Sequence, residues 1–253
     1  MSEEPPLSGK AALVTGASAG IGRETAMALA SDGADVAIAA RREERLESIA
    51  ADVESAHGVE TLVVPTDVSE EASVEAMVTD AVAAFGDLDV VVANAGTGTG
   101  PGIPVEDLPT DQYRTVTDVN VDGMFYTARA ALPHLRASAG TLVFVASFAG
   151  KYPRPGSPVY AATKWWTRGF ALSLAGQVGP DDVGVTVVNP SEVRTEFGKE
   201  YREDDELAKE RFDPADVTNP EDVAEAIAFA ARAEPPNAVT ELDLYRRDKF
   251  EGW

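Results

Sequence analysis

The amino-acid sequence predicts an α/β fold in which about seven parallel strands form one doubly wound sheet with helices on both faces. Short apolar segments of strand length alternate with segments of helical periodicity along the chain. Residues 88–93 are mostly apolar, as expected for a strand that is buried on both faces. No internal repeat, linker or low-complexity block separates these segments, so residues 1–253 are predicted to form a single domain.

Each predicted helix follows a predicted strand, which is the order expected for a parallel sheet. The strands are predicted at residues 11–15, 35–40, 61–64, 88–93, 141–146, 184–188 and 238–244. The helices are predicted at residues 23–31, 43–56, 70–85, 111–136, 158–178 and 220–232, the last with Asn219 as its cap. Asn120 falls inside the helix predicted at 111–136, where an asparagine is either solvent-facing or held by a specific partner.

The composition limits the partners and cofactors to be expected. The chain has a net charge of −22, from 43 acidic and 21 basic residues, so nucleic acid is not an expected partner. It has no cysteine, and its two histidines, His57 and His134, lie far apart, so no metal site is expected. The first residues are acidic and no apolar run is long enough to cross a membrane, so we expect a soluble cytoplasmic protein.

The acidic residues are spread along the helical segments and do not form a tail. They either form solvated helix faces or indicate a halophilic cytoplasm, where dense carboxylates keep a protein hydrated and salt screens their repulsion. We favour the halophilic interpretation.

A glycine-rich turn joins the first predicted strand to the first predicted helix. Gly16, Gly20 and Gly22 provide the glycines of this turn, with Ser18 and Ile21 between them. Glycines permit a tight turn and a close approach of the backbone to a pyrophosphate, which then lies at the helix N-terminus. A glycine cluster alone is often only a turn, but the strand before it and the helix after it favour a dinucleotide site.

The end of the second strand indicates which dinucleotide binds. An acidic residue there would accept a hydrogen bond from the 2′-hydroxyl of the adenosine ribose. Here Ala40 is followed by Arg41 and Arg42, whose guanidiniums suit a 2′-phosphate. We therefore expect NADP(H) as the preferred cofactor, with Arg41 as the main determinant and NAD as a second cofactor. The other interpretation is that the arginines only begin the next helix and pair with its acids.

Ser147, Tyr160 and Lys164 are candidate catalytic residues. Tyr160 and Lys164 are four residues apart, which places them on one face of the predicted helix. A nearby ammonium favours the phenolate, so such a tyrosine can exchange protons near neutral pH. Ser147 follows the fifth strand and can hydrogen-bond an oxygen whose charge changes as a carbonyl and an alcohol interconvert. Taken alone, the pair also fits a half-buried phenol beside a snorkelling lysine.

Further candidate residues follow the other strands. Asp67 and Val68 come after the third strand, where Asp67 either faces an adenine or caps the loop. Asn94, Ala95 and Gly96 end the fourth strand. A charged, weakly periodic stretch at about residues 192–215 follows the sixth strand, at the end of the sheet where ligands bind, and is predicted to be a mobile substrate lid.

With these motifs the chain resembles the classical short-chain dehydrogenase/reductase family over nearly its whole length. The resemblance rests on TGASAGIG at residues 15–22, Asp67-Val68, Asn94-Ala95-Gly96, Asn120, Ser147 and YAATK at residues 160–164. It implies a single NAD(P)-binding Rossmann-type domain and hydride transfer at the nicotinamide C4.

The resemblance also implies roles for individual residues. Asn120, Ser147, Tyr160 and Lys164 correspond to the family's catalytic tetrad. Tyr160 is the acid/base, Ser147 orients the carbonyl, and Asn120 holds a relay water. Lys164 binds the nicotinamide ribose and lowers the pKa of Tyr160. The cofactor-binding residues implied are Gly16, Ser18, Gly20, Ile21, Gly22, Arg41, Arg42, Asp67, Val68, Asn94, Ala95, Gly96, Tyr160, Lys164, Pro190, Val193 and Thr195.

Two departures from the family pattern concern the nicotinamide end and the C-terminus. Pro190-Ser191 stands where the family usually has Pro-Gly, and the usual glycine-rich ending is absent. Within the family, the segments RREERL, VYAATK, VRTEF and TELDLYRRDKF are most similar to the serine/3-hydroxy acid dehydrogenase branch.

The leading functional hypothesis is an NADP(H)-dependent oxidoreductase that interconverts a secondary alcohol and its ketone. Its small-molecule substrate would be a 3-hydroxy acid, a serine-like compound or another small hydroxy compound, in a pocket behind Phe148, Tyr152, Phe197 and Tyr201. A 3-oxoacyl carrier-protein reductase is an alternative that the negative charge disfavours, because carrier proteins are acidic. A non-catalytic cofactor-binding regulator is a second alternative, against which the complete catalytic set argues.

Assembly is the last expectation from the sequence. The resemblance implies a homotetramer or dimer. Trp165 and Trp166 are adjacent on a helix and point about 100° apart, so they cannot both serve one core face. We therefore expect one of the two indoles to pack against another subunit.

Overall fold

The computed structural model describes residues 4–100, 102–197 and 217–251. Its strands form one parallel sheet in the order β3-β2-β1-β4-β5-β6-β7, which confirms the predicted doubly wound topology. The strands are β1 (Ala11–Thr15), β2 (Asp35–Ala40), β3 (Thr61–Pro65), β4 (Val90–Ala93), β5 (Thr141–Val145), β6 (Gly184–Pro190) and β7 (Glu241–Leu244).

The helices cover both faces of this sheet. They are α1 (Gly20–Ser31), α2 (Glu43–His57), α3 (Glu71–Phe85), α4 (Thr110–Thr117), α5 (Gly123–Ser138), α6 (Pro158–Val178) and α7 (Pro220–Ala231). None of the helices in the described ranges is both long and apolar enough to span a membrane.

Two apolar layers hold the helices on the sheet. Because successive strand residues point to opposite faces, Leu13 of β1 packs in the layer formed with α3, α5 and α6, and Val14 packs in the layer formed with α1, α2 and α7. Both side chains are fully buried, as is Val91 of β4. This burial on both faces explains why the segments of the central strands are mostly apolar.

The helix predicted at 111–136 is divided in the structure. A π-helical turn, Asp118–Asp122, separates α4 from α5 and contains Asn120. Such turns insert an extra residue into a helix and are frequent at functional sites. Sequence periodicity did not reveal the division because the backbone keeps right-handed helical angles at both junctions, Asp118 and Asp122.

Other element boundaries also differ from the prediction. α1 begins at Gly20, directly after the glycine turn, and β7 begins at Glu241. β4 begins at Val90, and the carboxylate of Asp89 directly before it accepts hydrogen bonds from Lys10 Nζ at 2.8 Å and from the backbone N–H of Ala11 at 2.9 Å. The backbone of Asp89 also bonds both neighbouring strands, with its N–H donating to the Ala11 carbonyl at 2.9 Å and its carbonyl accepting from the Thr141 N–H at 2.7 Å.

The strand order reverses between β1 and β4, which both begin crossovers to opposite sides of the sheet. Helices on the two sides diverge at such a point, and a crevice opens at the carboxyl ends of the strands. The turns after β1, β2, β4, β5 and β6 all meet there.

Candidate active site

A cavity of about 1010 Å³ opens at the carboxyl ends of these strands. Nearly all of the predicted site residues line it. They are Gly16, Ser18, Gly20, Ile21, Arg41, Arg42, Asp67, Val68, Asn94, Ala95, Gly96, Ser147, Tyr160, Lys164, Pro190, Val193 and Thr195. Gly22 and Asn120 lie behind the wall of the cavity.

The glycine turn forms one end of the cavity. A Cβ on Gly22 would lie 2.4 Å from the carbonyl oxygen of Gly16, and one on Gly16, where φ is +67°, would lie 2.9 Å from the Cα of Ala95. These positions therefore require glycine. Ala19 precedes α1 and offers no side-chain cap, and α1 has no acidic residue in its first turn. The first N–H groups of α1 are thus open to an anion, and the turn fits a pyrophosphate.

Thr15 joins the glycine turn to the segment after β4. Its hydroxyl oxygen accepts hydrogen bonds from the backbone N–H groups of Asn94 at 3.0 Å and Ala95 at 3.1 Å. The amide of Asn94 in turn donates to the carbonyl oxygen of Thr15 at 2.8 Å. This arrangement fixes Asn94, Ala95 and Gly96 beside the turn.

A group of arginines lies at the other side of the turn. Arg42 donates two hydrogen bonds to the hydroxyl oxygen of Ser18, from Nη2 at 2.7 Å and from Nε at 3.2 Å. Arg45 of α2 lines the same part of the cavity and donates to Glu196 at 2.9 Å. Burial, and then the positive charges of Arg45 and Arg41, lower the pKa of Arg42, while Glu196 opposes that effect. The positive charges of these arginines therefore repel one another, and a bound anion would reduce this repulsion.

Asp67 is fixed by its own loop. Its carboxylate accepts hydrogen bonds from the Ser69 hydroxyl at 2.7 Å and the Ser69 backbone N–H at 3.0 Å. Although burial opposes ionisation, these bonds and the charge of Arg41 keep the pKa of Asp67 below its usual value. Asp67 therefore both caps the loop and lines the cavity, so the two interpretations of this residue are compatible.

Tyr160 and Ser147 meet in the middle of the cavity wall. Ser147 precedes a short 3-10 turn, Phe148–Gly150, and its hydroxyl oxygen accepts a hydrogen bond from the backbone N–H of Ala149 at 3.1 Å. Burial raises the pKa of Tyr160, while a hydrogen bond with Ser147 and the charge of Arg154 act in the opposite direction. The net direction is upward, so at neutral pH the phenol is protonated and can donate.

Lys164 lies one helical turn beyond Tyr160 and is 3% exposed. Its Nζ donates to the carbonyl oxygen of Val145 at 2.9 Å and lies 6.0 Å from the centroid of the Tyr160 ring. Burial lowers the pKa of Lys164 to about 8. Burial of the phenol outweighs the interactions that lower the pKa of Tyr160, so the expectation that Lys164 lowers this pKa stays a prediction.

Asn120 has a specific partner and is fully buried. Its Oδ1 accepts from the backbone N–H of Thr97 at 2.8 Å, and its Nδ2 donates to the Thr97 carbonyl at 2.9 Å and to the Thr163 hydroxyl at 3.0 Å. These bonds join the segment after β4 to α6, one residue before Lys164. The implied role of Asn120 with a relay water stays a prediction.

The segment after β6 runs along the open side of the cavity. Val193 pairs with Thr218 in an isolated parallel bridge, and a Cβ on Gly20 would lie 2.9 Å from the Thr195 side chain. The ring centroid of Phe197 lies 5.6 Å from that of Tyr160. These residues begin the predicted lid. The rest of that lid, residues 198–215, lies outside the described residues, as does Tyr201 of the predicted pocket.

The C-terminal segment after β7 covers the turn that follows Ser147. Tyr152 stacks on Phe148 at a centroid distance of 4.4 Å, and Tyr245 and Phe250 pack around this pair. Lys249 Nζ lies 4.2 Å from the Phe148 ring centroid and bonds Glu192 at 2.5 Å. The side chain of Arg154 reaches the same carboxylate at 3.5 Å.

Comparison with known proteins identifies the family. The model of the short chain dehydrogenase family matches residues 10–206. The chain belongs to the short-chain dehydrogenase/reductase family. It is therefore an NAD(P)-dependent oxidoreductase, as predicted.

Individual relatives place the chain within the short-chain dehydrogenases. It is 34% identical to the NADP-dependent 3-hydroxy acid dehydrogenase YdfG of Salmonella typhi, over 87% of this chain and 88% of that protein. It is 35% identical over 96% of its length to the glycine betaine reductase ATRR of Emericella nidulans, but spans only 19% of that protein. An alcohol dehydrogenase from Thermococcus sibiricus, complexed with 5-hydroxy-NADP, superimposes with a TM-score of 0.84 at 32% identity, covering 93% of this chain and 95% of the other.

Sequence reasoning missed three components of this short-chain dehydrogenase site. Arg45 had a usable signal, because it follows Arg41 and Arg42 at helical spacing. Glu196 had none, because it approaches the arginines from 151 residues away and lies in a stretch without periodicity. The cover formed by Tyr245, Lys249 and Phe250 had no usable signal, because the segment after residue 244 is polar and basic apart from its aromatics.

Proposed function

We propose that the protein is an NADP(H)-dependent oxidoreductase that interconverts a small hydroxy compound and its ketone, with Tyr160 as the acid/base. One observation carries the proposal. Tyr160, Ser147 and Lys164 line the same cavity as the glycine turn and the arginine group. A proton donor therefore lies in one connected space with a site suited to a dinucleotide.

The chemistry divides between the cofactor and the chain. When bound, the nicotinamide supplies or accepts the hydride. Tyr160, protonated at neutral pH, donates a proton to the substrate oxygen during reduction, and Ser147 hydrogen-bonds the same oxygen. Lys164 is held by Val145 at the floor of the cavity, where its ammonium is placed to bond a ribose hydroxyl.

A hydroxy acid is the substrate class that the surroundings of Tyr160 support best. Arg154 lies close enough to Tyr160 for its charge to act on the pKa of the phenol, and about half of its side chain is exposed. A substrate carboxylate bound near Tyr160 would meet this guanidinium. The likeness to the Salmonella 3-hydroxy acid dehydrogenase supports the same class.

The arginine group supports NADP(H) over NAD(H). Arg41, Arg42 and Arg45 line the cavity at the end of β2, where Ala40 stands in place of an acidic residue. One charge-assisted phosphate contact contributes roughly 1.5–3 kcal/mol, which is about one to two powers of ten in affinity. NAD(H) is then a second, weaker cofactor.

Steady-state kinetics with both cofactors test this function. We expect the protein to oxidise 3-hydroxy acids or serine in high salt, which is measured as an increase in NADPH absorbance. The kcat/KM with NADP(H) should exceed that with NAD(H). The variant Ala40→Asp with Arg41→Ala should reverse the preference, because it adds an acceptor for the 2′-hydroxyl and removes a cation. Equal or NAD(H)-favouring values in the wild type contradict the cofactor assignment. An acetoacetyl thioester in the same panel tests the acyl carrier-protein alternative.

A further inference from the structure

Glu196 places a carboxylate against the arginine group. Its Oε2 lies 2.9 Å from Arg45 Nη1 and 3.7 Å from Arg42 Nη1. The other nitrogens of the Arg42 fork, Nε and Nη2, donate to the Ser18 hydroxyl. One carboxylate oxygen thus lies between two guanidiniums that both line the cavity.

This position is where the phosphate on the adenosine ribose would bind. Arg42 is the second residue after β2, whose carboxyl end faces the ribose in a doubly wound sheet. Burial and the charges of Arg45 and Arg41 lower the pKa of Arg42, and the negative charge of Glu196 partly offsets this lowering. A phosphate dianion would offset it further, since it brings more negative charge and three acceptor oxygens.

We propose that Glu196 competes with the 2′-phosphate of NADP(H) for Arg42 and Arg45, and so limits the preference of the enzyme for NADP(H) over NAD(H). Arg45 is in this account a ligand of the phosphate. The proposal rests on the proposed use of NADP(H). NAD(H) has no phosphate at this position, so its binding leaves the ion pairs of Glu196 with Arg42 and Arg45 intact.

The competition also reaches the catalytic end of the cavity. Thr195, the preceding residue, packs on Gly20 of the glycine turn, and Phe197, the following residue, lies against Tyr160. Displacement of the Glu196 carboxylate by a phosphate therefore acts on a segment that contacts both ends of the site. The KM for substrate should then depend on whether NADP(H) or NAD(H) is bound.

The test is the Glu196→Gln variant, which keeps the shape of the side chain and removes its charge. We expect titration by cofactor fluorescence to show NADPH binding about threefold to fivefold tighter than in the wild type, the upper range for one partly exposed ion pair, with NADH binding within about twofold. Glu47→Gln is the matched control, since Glu47 is an exposed acid of α2. It should change both affinities only slightly, through its distant charge.

A double-mutant cycle identifies the competing group. Arg45→Met alone should weaken the binding of NADPH and leave the binding of NADH unchanged. Glu196→Gln should increase NADPH affinity less in the Arg45→Met background than in the wild type. The proposal is overturned if Glu196→Gln leaves NADPH affinity unchanged, weakens it, or shifts NADPH and NADH equally. A wild type that binds NADH more tightly contradicts the proposed cofactor preference, but the shift of the NADPH/NADH ratio in Glu196→Gln still tests Glu196 by itself.

Discussion

The hydroxyl of Thr15 links the end of β1 to the segment after β4, and we expect its removal to destabilise the fold and weaken cofactor binding. Thr15 is 1% exposed and lies just beyond the last paired residues of β1 and β4. Its oxygen accepts the backbone N–H groups of Asn94 and Ala95, and its O–H donates to the carbonyl of Val92 at 3.3 Å. Thr15→Val preserves the shape of the side chain and removes all of these bonds.

The cost follows from the groups left without partners. A buried N–H that loses its acceptor costs about 1–3 kcal/mol. Asn94 and Ala95 are only partly buried, so water from the cavity offsets part of that cost. We expect Thr15→Val to lower the free energy of unfolding by roughly 2–4 kcal/mol. Thr15→Ser keeps the hydroxyl and loses one buried methyl group, which costs about 1 kcal/mol.

Urea denaturation at constant high salt measures both variants. The midpoint for Thr15→Val should lie well below that for Thr15→Ser, with the same dependence on urea. Cofactor affinity should fall in the same order, because Asn94, Ala95 and Gly96 line the cavity. If Thr15→Val is as stable as Thr15→Ser, the hydroxyl does not hold the two strand ends together and this reasoning fails.

Three further predictions concern charge, salt and assembly. Burial lowers the pKa of Lys164 from 10.5 to about 8, so between these pH values the unfolded chain binds more protons than the folded one. Relative to Lys164→Met, the wild type should therefore gain stability as pH rises from 8 to 10.5 and lose it as pH falls through 8. Identical pH profiles of chemical denaturation for the two proteins would show that burial does not control this lysine. Lowering the concentration of potassium chloride should lower the melting temperature, because the net charge of −22 is then less screened; a salt-independent melting temperature would contradict the halophilic interpretation. Light scattering in molar salt should show a dimer or tetramer that Trp165→Glu dissociates and Val105→Glu does not, since the Trp165 side chain is 49% exposed on α6; a monomeric, active wild type would contradict the interface.

Most of the fold was predictable because the five central strands, β2, β1, β4, β5 and β6, are buried on both faces. The bounds of β1, β2 and α6 match the prediction, since an apolar run or a helical pattern begins and ends there with a glycine, proline or charged residue. Periodicity placed the start of β4 two residues too early, because Leu88 is apolar and buried although it precedes the strand. The π-helical turn at Asn120 left no pattern because an inserted residue changes the direction of side chains and not the composition.

The site was predictable in its residues and less so in its electrostatics. Glycine spacing and the pair Tyr160 and Lys164 are local patterns, and the cavity contains both. The pKa of Tyr160 depends on burial by residues distant in sequence, which the spacing of Tyr160 and Lys164 does not reveal. The two tryptophans behave differently, as expected for adjacent helical residues. Trp166 stacks on Phe170 at 4.8 Å, whereas Trp165 is exposed.

The proton-donor role of Tyr160 is tested most directly by single-turnover hydride transfer in Tyr160→Phe. The variant removes the phenolic hydroxyl and keeps the ring that packs against Phe197. With NADPH and a ketone that the wild type reduces, we expect the rate of NADPH oxidation to fall by about 10²–10⁴, while the dissociation constant for NADPH changes less than about twofold. A Tyr160→Phe protein that keeps most of the wild-type rate would contradict the assignment of Tyr160 as the acid/base.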